Sequence, residues 1–321
     1  MSDSDADLMR DLTLFPATNI VIGDMIGAGI FTTSGLLMLE LGCPLLMIAL
    51  WIGGGVLALS GALCYGALGA AMPRAGGEYA YLSELFHPVL GFLTGWVSLF
   101  AGFSAPLAAS SLGFSEYLGS AFPLLDQSSN AELWKKALSL GVIVILAAIH
   151  MRGQRIGSRI QNWLTVGKVR LIVALVVVGF AFGEGSLSHL QGQVSEGPTD
   201  PIWRTVGLAL MWIMFAYSGW NASGYIGSEI QAPRRNLPLS LILGTGLVVV
   251  LYVALNALFV FAMSPGEMQG TIAVGGLAAS HLFGPAAERM VSLLIAFALL
   301  SAISSLIIIG PRVYYAMARG G

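Results

Sequence analysis

Long, continuously apolar runs dominate the chain, and the period-two alternation that builds barrel strands is absent from them. About 18 to 20 apolar residues, rising 1.5 Å each in a helix, cover the roughly 30 Å of a hydrocarbon core. Each such run therefore predicts a membrane-crossing helix. Eight are read: Leu14 to Leu39, Pro44 to Ala71, Val89 to Leu118, Trp134 to His150, Trp163 to Phe182, Trp203 to Ile230, Leu237 to Ala262 and Ala287 to Ala318, the fourth being the shortest. In lipid the backbone must close its hydrogen bonds within each segment, so the pattern predicts an all-α membrane protein.

Two spans differ from the rest. The first carries Gly23, then Gly27-Ala28-Gly29, and later Gly35; the sixth carries Ser218-Gly219, Ser223-Gly224 and Gly227. Glycine costs about 1 kcal/mol of helix propensity relative to alanine, so such clusters invite an unwound turn in mid-span. Spans one and six are five apart, and interruptions at matching positions of two halves point to an inverted-repeat transporter fold with broken helices 1 and 6 and its site at the midplane. The small residues of span two, Gly54, Ala58, Ala62, Gly66 and Ala70, read instead as a face for close helix packing.

Basic residues set the orientation. With the N-terminus in the cytoplasm, the inner segments hold Arg10, Arg74, Arg152, Arg155, Arg159, Arg234, Arg235, Arg312 and Arg319, against Lys135, Lys136, Arg204 and Arg289 outside. The outer loops collect Asp126, Glu132, Glu184, Glu196, Asp200, Glu267 and Glu288. The expected organisation is a cytoplasmic tail at 1–13, spans one to five at 14–184, an extracellular loop at 185–202 and spans six to eight at 203–321, in a plasma (inner) membrane.

Composition agrees and narrows the chemistry. Of 321 residues 56% are hydrophobic and only 10% charged, too few to coat a water-facing surface. A net charge of −2 supplies no positive field for nucleic acid, so none is expected as a partner. The acidic start, with Asp3, Asp5, Asp7 and Asp11, is unlike a cleavable signal peptide. Cys43 and Cys64 form no CxxC pair and read as core residues, and His87, His150, His189 and His281 have no zinc spacing. No nucleophile elbow or carboxylate pair supports hydrolysis, and Asn221-Ala222-Ser223 lies inside a span where glycosylation cannot reach it. Neither an enzyme nor a cofactor is expected.

An unwound turn frees N–H groups at the start of the following half-helix and carbonyls at the end of the preceding one, two opposite poles a few ångströms apart. A zwitterionic amino acid matches them: its carboxylate on the N–H groups of Ala28, Gly29 and Ile30 beside Gly27, its ammonium facing carbonyls of Met25, Ile26, Phe215 and Ser218. Ionisable groups inside the membrane are the next signal, since burying a charge there costs at least about 2.5 kcal/mol. Lys168 lies within span five. It is a coupling candidate, or it snorkels with Arg170 to the inner surface. Asp24, one turn before the glycines, is a candidate for the substrate ammonium, for a proton or for Lys168, or it caps freed N–H groups. Glu229, at the inner end of span six, is expected to meet Arg234 or Arg235 in a closing contact.

Four stretches together resemble the amino acid-polyamine-organocation transporter superfamily: Ile26-Gly27-Ala28-Gly29-Ile30-Phe31, Pro73-Arg74-Ala75-Gly76-Gly77-Glu78-Tyr79, Phe215-Ala216-Tyr217-Ser218-Gly219-Trp220-Asn221, and Glu229-Ile230-Gln231-Ala232-Pro233-Arg234-Arg235-Asn236-Leu237-Pro238. The neutral amino acid branch is most similar. The resemblance implies a secondary transporter working by alternating access, through proton symport or exchange, with its site among spans one, three, six and eight. It implies Phe215 as an aromatic gate and Lys168 as the lysine standing where sodium-coupled relatives hold the ion. Phe215 and Trp220 would wall a neutral side chain, and Ser218 and Asn221 would hydrogen-bond a small polar one. Members usually have twelve spans, so the second repeat is incomplete here and the chain resembles a truncated member. The alternatives are a non-transporting membrane binding module or partner subunit, and a carrier of cationic amino acids or polyamines. Membrane lipid is the remaining expected neighbour; an oligomeric partner is not specified.

Overall fold

A computed structural model describes residues 10–122, 130–192 and 201–320. The expected tail residues Asp3, Asp5 and Asp7, the loop acids Asp126, Glu196 and Asp200, and Gly321 lie outside them. Every described element is helical or irregular, apart from two isolated bridges, Leu12 to Ile230 and Ala75 to Ile226.

Span one is two helices, α1 (Leu14–Met25) and α2 (Gly29–Leu41), broken at residues 26–28. Gly42, with φ +60, ends α2 in the left-handed conformation that glycine adopts freely, and Pro44 opens α3 (Pro44–Ala71), where its missing N–H costs nothing. The connecting segment contains α4 (Glu78–Leu85). Span three runs through α5 (Pro88–Val97), a π-helical stretch (Ser98–Ser104) and α6 (Ala105–Ala121). Pro106 sits at the junction, where its missing N–H would leave a regular ladder incomplete. Spans four and five are α7 (Ala131–Met151) and α8 (Gln154–Phe182), separated by Gly153 at φ +128.

Span six is the second broken one: α9 (Ile202–Tyr217), an unwound stretch, a single turn α10 (Ala222–Tyr225) and a 3-10 turn (Gly227–Glu229). Span seven is α11 (Pro233–Ala262). A short α12 (Pro265–Met268), opened by a Ser264/Glu267 capping box, and α13 (Val274–Phe283) lead to span eight, α14 (Pro285–Arg319). Seven of these segments are long and apolar enough to cross a membrane, and the broken sixth is represented by its shorter apolar helix α9. Spans one and eight are enclosed, whereas α7 buries only Ser139 and Leu146 and lies at the periphery.

The two faces of the helical bundle are marked by different contacts. At one, Leu12 pairs with Ile230, Asp11 lies 3.4 Å from Arg155, and Gly76 donates to Tyr225 O at 3.1 Å; this face is called proximal. At the opposite, distal face Gly270 donates to Gly35 O at 2.9 Å and Glu184 to Leu282 O at 3.1 Å. The small residues of span two pack as expected: Gly54 lies against Ile213 and Tyr217, Gly66 against Pro238.

Three expectations are corrected. Span five starts at Gln154, nine residues before Trp163, because the polar first turns of α8 continue the helix beyond its apolar run. Span six stops being a regular helix at Tyr217 and does not continue to Ile230. Cys64 is exposed and Cys43 half-buried, since an apolar neighbourhood in sequence is compatible with a face turned outward in a membrane protein.

Candidate substrate site

The two breaks lie against each other. A Cβ placed on Gly29 would come within 3.1 Å of the Ala216 backbone and side chain, and one on Gly219 within 2.6 Å of Asp24 Oδ2. Gly219 has φ +99, which side chains with a Cβ rarely adopt, so this position needs glycine twice over. Tyr252 of α11 fastens the pair: its hydroxyl donates to Met25 O at 2.6 Å, the last carbonyl of α1, and to Ala216 O at 3.1 Å, in the last turn of α9.

Lys168 enters from α8. Its ammonium donates to Gly23 O at 3.0 Å and Ile26 O at 2.8 Å, and the residue is 0% exposed. Fourteen residues separate it from the helix start, about 21 Å of rise. Snorkelling to the proximal surface is thereby excluded for Lys168; Arg170, two residues on, is exposed. Beneath the lysine, Gln161 donates to Thr165, Ser301 and Ser305, while Thr165 and Ser305 donate to Asn19 O and Ile20 O. A side chain at Gly23 would strike Gln161 and Ser305.

The poles of the span-one break are unequally used. Ala28, Gly29 and Ile30 have N–H groups without an acceptor among the described residues; the first bond of the resumed chain is Phe31 N to Ala28 O at 3.1 Å. The carbonyl pole is engaged: Met25 O by Tyr252 and Gly27 N, Ile26 O by Lys168, and Phe215 O by Ser218 N at 3.1 Å. Ser218 O has no donor among the described residues.

Exposure follows the same division. Asp24, Gly27, Ala28, Gly29 and Asn221 are half-buried and Ser218 is exposed, whereas Met25, Ile26, Ile30, Ala216 and Tyr217 are closed off. Phe215 is 53% exposed. Span three faces this strip through Ser110, whose Oγ lies 3.9 Å from a Cβ position on Gly27, and through Gly113, beside Ala28 and Leu299 of span eight. Asn221 turns elsewhere: its amide donates to Glu78 of α4 and to the Tyr225 hydroxyl at 3.0 Å. Burial pushes the Glu78 carboxyl above the usual carboxylate range, with hydrogen bonds from Tyr225, Asn221 and Tyr65 acting against it.

At the proximal face Glu229, 1% exposed, receives Arg312 Nε at 2.8 Å, Arg312 Nη2 at 3.2 Å and Gln154 Nε2 at 2.6 Å, and its carbonyl accepts Leu12 N at 3.0 Å. This joins the chain's start, α8, the broken span six and α14. The expected partners Arg234 and Arg235, at the start of α11, are replaced by Arg312, which α14 delivers with its guanidinium in the two-pronged geometry a carboxylate accepts. Asp24 makes no ion pair with Lys168 among the described residues. Tyr252, Glu78, Gln154, Gln161 and Arg312 were not singled out as site partners from the sequence; an intramembrane tyrosine or glutamine carries no spacing signal. No cluster of metal-binding side chains occurs among the described residues.

The arrangement has counterparts. The amino acid permease family matches residues 12–321. The b(0,+)-type amino acid transporter 1 of Mus musculus is 31% identical over 317 residues, covering 98% of this chain and 64% of the relative. The Asc-type amino acid transporter 1 of Mus musculus is 34% identical over 287 residues, covering 86% and 52%. The large neutral amino acids transporter small subunit 2 of Mus musculus is 29% identical over 316 residues, covering 98% and 59%. The chain thus spans between about half and two thirds of the length of these relatives. Among solved structures, Mhp1, a nucleobase-cation-symport-1 family transporter in a closed conformation with bromovinylhydantoin bound, superposes with a TM-score of 0.62 at 16% identity, covering 100% of this chain and 70% of that one. That likeness gives the inverted-repeat transporter fold. With two facing breaks at the helices where the fold puts them, and a family match from Leu12 to the end, the chain belongs to the amino acid permease family of the amino acid-polyamine-organocation superfamily.

Proposed function

We propose that the chain carries the substrate site of a secondary transporter that moves neutral, small to medium-sized amino acids by alternating access, with no chemistry on the substrate. The observation that carries this reading is the open row of N–H groups at Ala28, Gly29 and Ile30. It heads a half-helix whose dipole favours an anion, at the point where Gly29 touches Ala216 of span six. The substrate carboxylate occupies that row. Gly27 keeps the approach open, since nothing but Ser110 Oγ lies within 4 Å of a Cβ position there. Phe215 and Ser218, both exposed beside the break, contact the side chain. Asn221, held by Glu78 and Tyr225, shapes the break rather than meeting substrate directly.

Lys168 is the coupling element. Its ammonium ties span five to the carbonyl pole of span one, so gaining or losing its proton changes the stability of the broken conformation, as proton symport requires. The Glu229, Arg312 and Gln154 contact holds the proximal side shut in this conformation. Basic residues concentrate on that side, which makes it cytoplasmic, with the N-terminus inside the plasma (inner) membrane.

Uptake of labelled alanine, serine and leucine into proteoliposomes, with competition by arginine and putrescine, tests the reading. Accumulation of the neutral amino acids supports it. Preferred uptake of arginine or putrescine assigns the cationic class instead, and absence of both binding and uptake rejects transport by this chain.

A further inference from the structure

We infer that the proximal face holds a site for an anionic phospholipid, its phosphate among arginines and its acyl chain in the adjoining groove between spans three and eight. Nothing in this depends on what the chain transports. Two cavities lie side by side there, with Tyr79, Pro88 and Gly320 as a common wall. The apolar one, about 450 Å³, is walled by Phe92, Trp96 and Leu99 of span three and by Tyr314 and Met317 of span eight. Phe92 and Trp96 are exposed, and Trp96 stacks on Phe100 with ring centroids 6.0 Å apart. From Pro88, which opens α5, to Leu99 the chain rises about 16 Å, so the groove runs from the proximal surface into hydrocarbon depth.

The second cavity, about 790 Å³, is polar. Its charged lining is Arg10, Arg74, Arg319 and Glu84. Glu84 pairs with Arg74 at 2.7 Å, and Arg319 donates to the Tyr315 hydroxyl at 2.9 Å, which leaves a surplus of positive charge around the space. Two hydroxyls on the same lining, Ser83 Oγ and Ser228 Oγ, are buried without a hydrogen-bond partner among the described residues. So is the Tyr314 hydroxyl on the groove side. Buried donors without acceptors are costly, and three of them line these two adjoining spaces.

A phosphodiester supplies what the polar cavity lacks: negative charge for the guanidinium groups and oxygens that accept from Ser83 and Ser228. An ester carbonyl at the head of an acyl chain accepts from Tyr314. A basic pocket between spans at a membrane face, continued by an apolar groove, matches an anionic lipid better than a zwitterionic one, whose ammonium the arginines repel. A second copy of this chain docking here in a two-fold contact would bring the same arginines toward each other at the seam.

Trp96 provides the readout, because bromines on an acyl chain in the groove quench its fluorescence. The chain is placed in phosphatidylcholine nanodiscs containing a small fraction of dibrominated phosphatidylglycerol or, separately, dibrominated phosphatidylcholine. Phosphatidylglycerol should occupy the site about tenfold more readily and quench more at equal fraction. Trp96→Phe should remove that excess while the other tryptophans are quenched as before, which together with circular dichroism reports an intact fold. Arg10→Gln combined with Arg319→Gln should cut the preference to less than about twofold. Soluble sn-glycerol 1-phosphate should leave the quenching unchanged. Equal quenching by the two lipids overturns the inference, and paired chains in each disc would then give the groove to a second copy. Excess quenching that survives Trp96→Phe overturns the groove as the site, a preference that survives loss of the arginines overturns the headgroup contact, and displacement by glycerol phosphate assigns the cavity to a free phosphate instead.

Discussion

The two breaks start from the same sequence cue and end in different states. In span one the unwound turn is three residues long, and a full helix, α2, resumes beyond it with its first N–H groups free. In span six the chain recovers only a single turn and a 3-10 turn, and its polar groups are tied to neighbours: Asn221 to Glu78 and Tyr225, Ser223 to Ser240, Glu229 to Arg312 and Gln154. One break is a set of unspent donors, the other a clamp holding the proximal loops. Glycine permits unwinding in both places, but what an unwound turn offers depends on which neighbours reach its freed groups.

Substitutions that strip the difference should show it. Gly29→Val should have the largest effect and abolish amino acid binding with helix content nearly unchanged. A β-branched side chain there meets Ala216 within 3.1 Å and covers the open N–H row. Circular dichroism with equilibrium binding checks this; wild-type affinity in a folded protein would remove Gly29 from the site. Lys168→Ala should follow, flattening the uptake profile between about pH 5 and pH 8, because the ammonium that donates to the Gly23 and Ile26 carbonyls is gone. An unchanged profile would leave Lys168 a structural residue.

On the clamp, Glu229→Gln should cost about 1–3 kcal/mol and accelerate opening at the proximal face, since the Arg312 guanidinium loses its two-pronged carboxylate partner. Thermal unfolding and the accessibility of a probe cysteine beside Leu12 measure the two parts. Tyr252→Phe should cost about 1–2 kcal/mol by freeing the carbonyls of Met25 and Ala216 together, and it should loosen the contact between the breaks.

The smallest effect is a pH slope. Glu78 has its carboxyl pushed above the ordinary 4.5, so the folded protein binds its proton more tightly than the unfolded chain does. Stability from this group is therefore complete below about pH 4.5 and falls as pH rises through the raised value. Glu78→Gln should remove that slope in melting temperature and leave the rest of the curve in place.

Much of this architecture was legible from the pattern. Seven of the eight expected spans are helices long and apolar enough to cross a membrane, the sixth is helical only as far as Tyr217, and both breaks fall at the glycines, because lipid demands closed helical hydrogen bonding and glycine locally undercuts it. Lys168 stood out because charge is rare at that depth. Three kinds of feature were not legible. The start of α8 at Gln154 was hidden by polar residues that extend a helix past the apolar segment. The exposed Cys64 shows that hydropathy cannot separate a lipid-facing position from a core one. The choice of Arg312 over Arg234 or Arg235 depended on which helix returns to Glu229, and sequence proximity gave the wrong partners.

By itself the sequence determined the class of molecule, the helical spans and where two of them could not stay helical, since these follow from local hydrophobicity and backbone propensity. Only the tertiary structure decided which freed groups remain available. Whether a carbonyl at a broken turn faces a ligand or a lysine is settled by side chains arriving from positions such as Lys168 and Tyr252, more than a hundred residues away in the chain. Hydrogen bonds and charges act over a few ångströms, and no local pattern records which distant residue fills that distance.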